Sequence, residues 1–284
     1  MADILKHVFL ILLITTIVVV GIFLPFMHGD YDYFAVGISM TIQFAAFTSL
    51  LFVPVGLIWC LLDFIKSRKS NDPTTHAATF RKITLGITVI IVLAAALGAF
   101  ASQNRFSAII ILLAGPFILS AINKKRRSLQ SESAVGYHVT PFYLILIPMT
   151  VIFIRLTFFE TIKNQGTDFV IKQSEQLIRD IESYKKANGH YPVSLLSTIE
   201  DYKPNVSGID RFHYERKGEA YNLYFEQFSE MLGTEEIVMY NNLDQHEMTV
   251  HNQDILRIPD SQIIRGYHKV EKLPQPHWKI FYFD

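Results

Sequence analysis

Cysteine is almost absent: the 284 residues contain one, Cys60, inside an apolar run. A lone thiol excludes a disulfide framework and a Cys-rich metal site. Basic clusters are missing from the second half. Residues 1–159 hold 12 of the 26 Lys and Arg and six of the 26 Asp and Glu, 12 − 6 = +6, whereas residues 160–284 hold 14 and 20, 14 − 20 = −6. An acidic half without concentrated Lys and Arg excludes nucleic acid as a partner, because phosphate binding needs clustered cations. Catalytic signatures are wanting too: there is no Gly-x-Ser-x-Gly elbow, no P-loop and no His-Glu-x-x-His. The six histidines after residue 160 (His190, His213, His246, His251, His268 and His277) lack metal-ligand spacing, and His246 and His251 read as solvated strand ends. Glu235, Glu236, Asp244, Asp254 and Asp260 lack the dense alternation of a calcium loop and read as a solvated acidic face. No cofactor, metal or catalytic residue is nominated, and the chain is not expected to be an enzyme.

What is abundant is apolar sequence. Five runs, residues 8–27, 34–62, 83–101, 106–122 and 139–159, reach the roughly 17 to 20 residues that cross a hydrocarbon core. The first lacks a small-x-small cleavage site and is expected to stay as a span. Loop charge sets orientation. The loop 63–82 carries Lys66, Arg68, Lys69, Arg81 and Lys82, and the loop 123–138 carries Lys124 to Arg127; the alternate loops carry only Arg105. The expectation is a cytoplasmic N-terminus, five spans, and residues 160–284 outside. Ionisable residues avoid the span centres: Asp63 borders a cytoplasmic end, Arg155 is placed to snorkel at an outer end, and Gln43 is the main polar group at depth. The bundle therefore reads as an anchor more than a transporter. Ala94, Ala95, Gly98 and Ala99 give small-xxx-small spacing for close helix packing, and Pro54, Pro116 and Pro148 are expected to kink their helices.

After residue 160 the apolar pattern changes period. Phe169, Val170, Leu177, Ile178, Ile181 and Tyr184 recur at helical spacing among charged residues, so the helix buries one face. Gly166 reads as a loosening point, and Asn188-Gly189 with Pro192 as a stop. A short helical turn over 194–199 is followed by strands at 212–215 and 221–225, a hairpin around Lys217-Gly218-Glu219, and by strands at 236–240, 248–251, 263–267 and 278–283. This is an α+β layer, a long amphipathic helix on an antiparallel sheet. The fold expected overall is a membrane all-α bundle of five helices over 1–159 plus an α+β ectodomain over 160–284.

The run Tyr184-Lys185-Lys186-Ala187-Asn188-Gly189-His190-Tyr191-Pro192, ahead of a short helix and a hairpin, resembles type IV pilins and type II secretion pseudopilins. That resemblance covers 160–284 only and implies a pilin-like domain, a bacterial inner membrane, and assembly with envelope proteins. Pilins have one span and a processing site, whereas no such site stands at 140–147 and four runs precede the fifth, so cutting and polymerisation are not expected. Aromatics crowd the hairpin (Tyr221, Tyr224, Phe225, Phe228) and the end of the chain (Trp278, Phe281, Tyr282, Phe283). They mostly fill a core, but the last strand carries aromatics on both faces, which makes Trp278, Tyr282 and Tyr224 the candidate partner-binding residues. Two other functions remain open: an immunity or stress-protection protein of the membrane, and a transporter or membrane enzyme with an unrecognised site.

Overall fold

The computed structural model describes residues 2–67, 74–101, 108–113, 139–197, 202–229, 234–246 and 267–283. The chain divides into two units, residues 1–24 with 34–160, and residues 25–33 with 161–284.

The first unit is helical: α1 (Ala2–Phe23), α2 (Ala35–Ser49), α3 (Phe52–Ser67), α4 (Thr74–Ala101), helical residues 108–113, and the first part of α5 (Thr140–Asn188). Four stretches are long and apolar enough to cross a membrane: Leu5–Phe26, Ala35–Ile65, Ile83–Phe100 and Thr140–Asn188. The run 106–122 lies outside the described residues except 108–113, as does Pro116. Run 34–62 is not one helix. It breaks at Leu50 and Leu51, whose amides bond to Phe47 and Thr48 in tight turns. Pro54 follows as the third residue of α3, where its missing N–H withdraws the bond that would have joined the two helices through Leu50. Pro148 sits inside unbroken α5. Ala95, Gly98 and Ala99 are buried. A Cβ on Gly98 would come within 2.9 Å of the Met40 carbonyl and 3.0 Å of the Phe44 ring, so glycine sets the approach of α4 to α2.

The second unit is the remainder of α5 with a five-stranded antiparallel sheet: β1 (His213–Lys217), β2 (Ala220–Gln227), β3 (Glu235–Asn241), β4 (Tyr267–Lys272) and β5 (Trp278–Phe283), in the order β1-β2-β3-β5-β4. Strand alternation gives the sheet two apolar faces. Tyr221, Leu223, Phe225, Val238, Trp278 and Ile280 join Val170, Ile171, Leu177 and Ile181 of α5 in the main core. Tyr224, Ile237, Met239, Phe281 and Phe283 form a second cluster of the opposite parity. Helix α5 stops at Asn188: Gly189 takes φ 79° and its amide bonds to Lys185, a left-handed cap for which glycine carries no Cβ penalty. Gly166 loosens nothing. The helix runs through it, and a Cβ there would lie 3.4 Å from the Phe26 carbonyl, an ordinary van der Waals contact. The expected strand 248–251 lies outside the described residues, as does 263–267 except Tyr267, the first residue of β4.

Candidate functional site

Residues 25–33 leave the first candidate span and run as a strap against residues 204–209 of the same unit. Gly208 N donates to Pro25 O (2.9 Å), Ser207 N and Oγ both donate to Met27 O (2.9 and 3.1 Å), Gly29 N donates to Asn205 O and Asp32 N to Ser207 O. His28 and Val206 form an antiparallel bridge. Local chemistry explains the partner segment: Pro204-Asn205 turns the chain, with Asn205 at φ 55°, and Gly208 lets the backbones touch, since a Cβ there would stand 2.6 Å from Pro25 O. The His28 ring stacks on Phe169 of α5 at 3.9 Å, and Phe26 meets Phe228 at 6.0 Å. Between strap and helix lies a groove of about 650 Å³ lined by Phe26, Met27, Ile162, Gly166 and Phe169, with Gln165, Asp168, His28 and Lys172 at its polar edge. Behind the strap, Tyr31 lines a smaller recess with Asp30, Lys203 and Asp210. Burial and then the Asp210 charge push its phenol up.

The helix–sheet contact of this unit contains a buried ion pair. Lys163 and Glu236, 4% and 2% exposed, meet at 2.7 Å. Gln227 Nε2 donates to the same oxygen, Glu236 Oε2, at 3.1 Å, and Thr167 Oγ1 donates to Gln227 Oε1 at 2.7 Å. The Tyr282 ring stands 5.9 Å from the Lys163 ammonium. Nothing in the apolar periodicity announces Lys163 or Glu236: each reads as a solvent residue until the opposite element is in place.

The sequence-nominated aromatics are placed as follows. Trp278, 5% exposed, packs on Phe225 and Tyr240 in the main core, and Tyr224, 8% exposed, stacks on His213 in the second cluster. Tyr282 is half-buried, its hydroxyl donating to Glu271 and its ring facing Lys163 and Lys269. Trp278 and Tyr224 are therefore core residues, because side chains on both faces of the sheet are buried; of the three, Tyr282 alone keeps partial exposure. The phenols of Tyr191, Tyr214, Tyr221, Tyr224 and Tyr240 are pushed up by burial.

The far end of α5 presents different surface. Tyr191 OH bonds to Glu182 and receives Asn242 Nδ2 (2.9 Å), Lys185 lies over its ring, Tyr214 OH donates to Pro192 O, and Arg216 donates to Tyr191 O. On the loop so held, Val193 and Leu196 are 78% and 95% exposed.

Histidines are not gathered. His246 is buried with Nε2–H donating to His277 O, His277 pairs with Asp244 (3.1 Å), His213 is held below its usual range by burial, and His190 contacts Tyr191 O. His246 is therefore no solvated strand end. His251 lies outside the described residues, and no group of three metal-binding side chains occurs among the described residues.

In the helical unit, Arg155 does not snorkel. It is buried, donates from Nε to Gln43 Oε1 (3.0 Å), and lies over Phe47 and Phe159 at 4.9 and 4.8 Å. Gln43 continues to Ser39 and Ser39 to the Ile22 carbonyl. Cation–π contact and an amide acceptor replace the water that snorkelling would have reached. Comparison of the chain with protein-family models, with curated proteins and with solved structures finds no match.

Proposed function

We propose that the chain is a non-enzymatic, multi-pass protein of a bacterial inner membrane, with five spans, a cytoplasmic N-terminus and an outer domain of pilin-like plan that binds or assembles with envelope proteins. The observation that carries the binding role is the loop after α5. Val193 and Leu196 are held out in solvent by a backbone fixed through Tyr214 and Arg216, so two apolar side chains are displayed on an ordered support.

The strap supports the span count. Residues 25–33 belong to the same unit as 161–284, which favours an arrangement with both on one side of a membrane and an even number of crossings between them. The described candidates between them are Ala35–Ile65, Ile83–Phe100 and the apolar part of Thr140–Asn188, which is three. Run 106–122 as a further span makes the number even, in agreement with the basic loops 63–82 and 123–138 on the opposite side.

The test is a photo-crosslinking residue at position 196 of the full-length protein in living cells, read by mass spectrometry. Crosslinks to envelope assembly proteins that Leu196→Asp abolishes are expected, and crosslinks to lipid or to the protein itself alone would overturn the reading. A second reading, transport through the bundle, draws on the buried Ser39–Gln43–Arg155 chain and expects flux that fails with Gln43→Leu.

A further inference from the structure

We infer that the groove between strap and α5 is a binding site for one anionic phospholipid. Its position in the chain says what reaches it. Phe26 is the last residue of the first candidate span, and Met27 follows it. Ile162 stands three residues beyond Phe159 on the uninterrupted α5, about 5 Å along the helix axis. The apolar walls thus begin where two membrane-crossing helices leave hydrocarbon, at the depth where acyl chains give way to headgroups. At about 650 Å³ the groove takes a lipid-sized portion, and Phe26, Met27, Ile162 and Phe169 suit methylene groups.

The polar edge matches the other end of such a molecule. Lys172 is exposed and lies farther along α5 than Ile162, on the side away from the span, and His28 is two residues past Phe26. Asp168 is the acid at the edge, and its Oδ1 accepts a hydrogen bond from Gln275 at 2.9 Å. Ile162 stands at the span end of the groove and Lys172 at its far end, which is the order of tail and phosphate in an anionic lipid. The groove is preformed: the His28–Phe169 stack fixes one wall. The site does not depend on the exposed loop at Val193 and Leu196, and either can fail without the other.

The test uses the full-length protein released from the membrane in mild detergent and examined by native mass spectrometry, with phosphatidylglycerol carrying a mid-chain diazirine as the probe. One retained phosphatidylglycerol is expected, with adducts on the peptides bearing Met27 and Ile162 to Phe169. Lys172→Glu, at an exposed position, lowers occupancy about tenfold, the effect of about 1.4 kcal/mol. Met27→Trp, also exposed, fills the groove and removes the adducts, while Leu196→Asp leaves both readouts unchanged. Equal retention by the two groove variants, equal retention of phosphatidylcholine, adducts confined to residues 5–20, or crosslinks from the groove to protein would each overturn the assignment.

Discussion

Lys163 and Glu236 are the residues at which burial and charge conflict most directly. Two ions taken out of water recover their desolvation cost only with tight geometry and satisfied lone pairs, which the 2.7 Å contact and Gln227 supply. Removing one partner leaves a buried charge: Lys163→Met or Glu236→Leu alone should cost about 3 kcal/mol, and the double variant should recover most of it. Protease resistance of residues 161–284 in the full-length protein measures this; equal loss in the double and single variants would contradict the pairing. His246 sets a pH dependence of its own. Burial, with the Lys279 charge, holds its pKa down to about 4 from 6.5, and Asp244 opposes this only in part. A folded-state pKa below the unfolded one means the folded domain keeps the neutral ring. Its share of stability is full above about pH 6.5 and lost as pH falls toward 4, about 3 kcal/mol in all. Denaturation between pH 7 and 4 should show that loss in the wild type and a shallower one in His246→Phe.

Elements were legible in the sequence where one residue pattern answers to one surface. The sheet-covering face of α5 follows from the spacing of Val170, Leu177 and Ile181, its end from Asn188-Gly189, and β5 from the dense aromatic and apolar run at 278–283. Legibility ends where an element answers to something distant. Strand β4 is Tyr267–Lys272, rich in charge because it is the sheet edge, where Lys269, Glu271 and Lys272 discourage further pairing; apolar alternation could not find it. Run 34–62 shows no gap in hydropathy at Leu50, since the break is made by backbone bonding and Pro54. Residues 25–33 carry no sign that they join residues 204–209, because the link is made mostly between backbone groups, with Ser207 Oγ adding a bond to Met27 O. That link makes Gly208 the sensitive residue: Gly208→Ala places a methyl 2.6 Å from Pro25 O, and relieving the clash should cost about 1 to 3 kcal/mol. Cleavage of the 25–33 strap by added protease should speed up in Gly208→Ala and stay unchanged in Gly189→Asn, whose cap tolerates asparagine.

At the scale of the whole molecule, the strap converts a domain contact into a statement about membrane crossing. Apolar length by itself gives four candidate spans among the described residues, and loop charge, with the basic loops 63–82 and 123–138 expected on one side, asks for an even number of crossings between those loops. Residues 25–33 follow the first candidate span and hydrogen-bond to residues 204–209, after the last candidate, and under the proposed membrane arrangement the two would have to share one side of a bilayer. In a Cys60→Ser background, cysteines at Asp30 and at Leu196 should both react with a membrane-impermeant maleimide added from the outside of intact cells. A cysteine at Ser128, in the basic loop, should react only after the membrane is opened. If the positions 30 and 196 label together and 128 labels oppositely, run 106–122 crosses. If 128 labels together with them, the loop lies on the wrong side and run 106–122 does not cross; if 30 and 196 label oppositely, the even count of crossings fails.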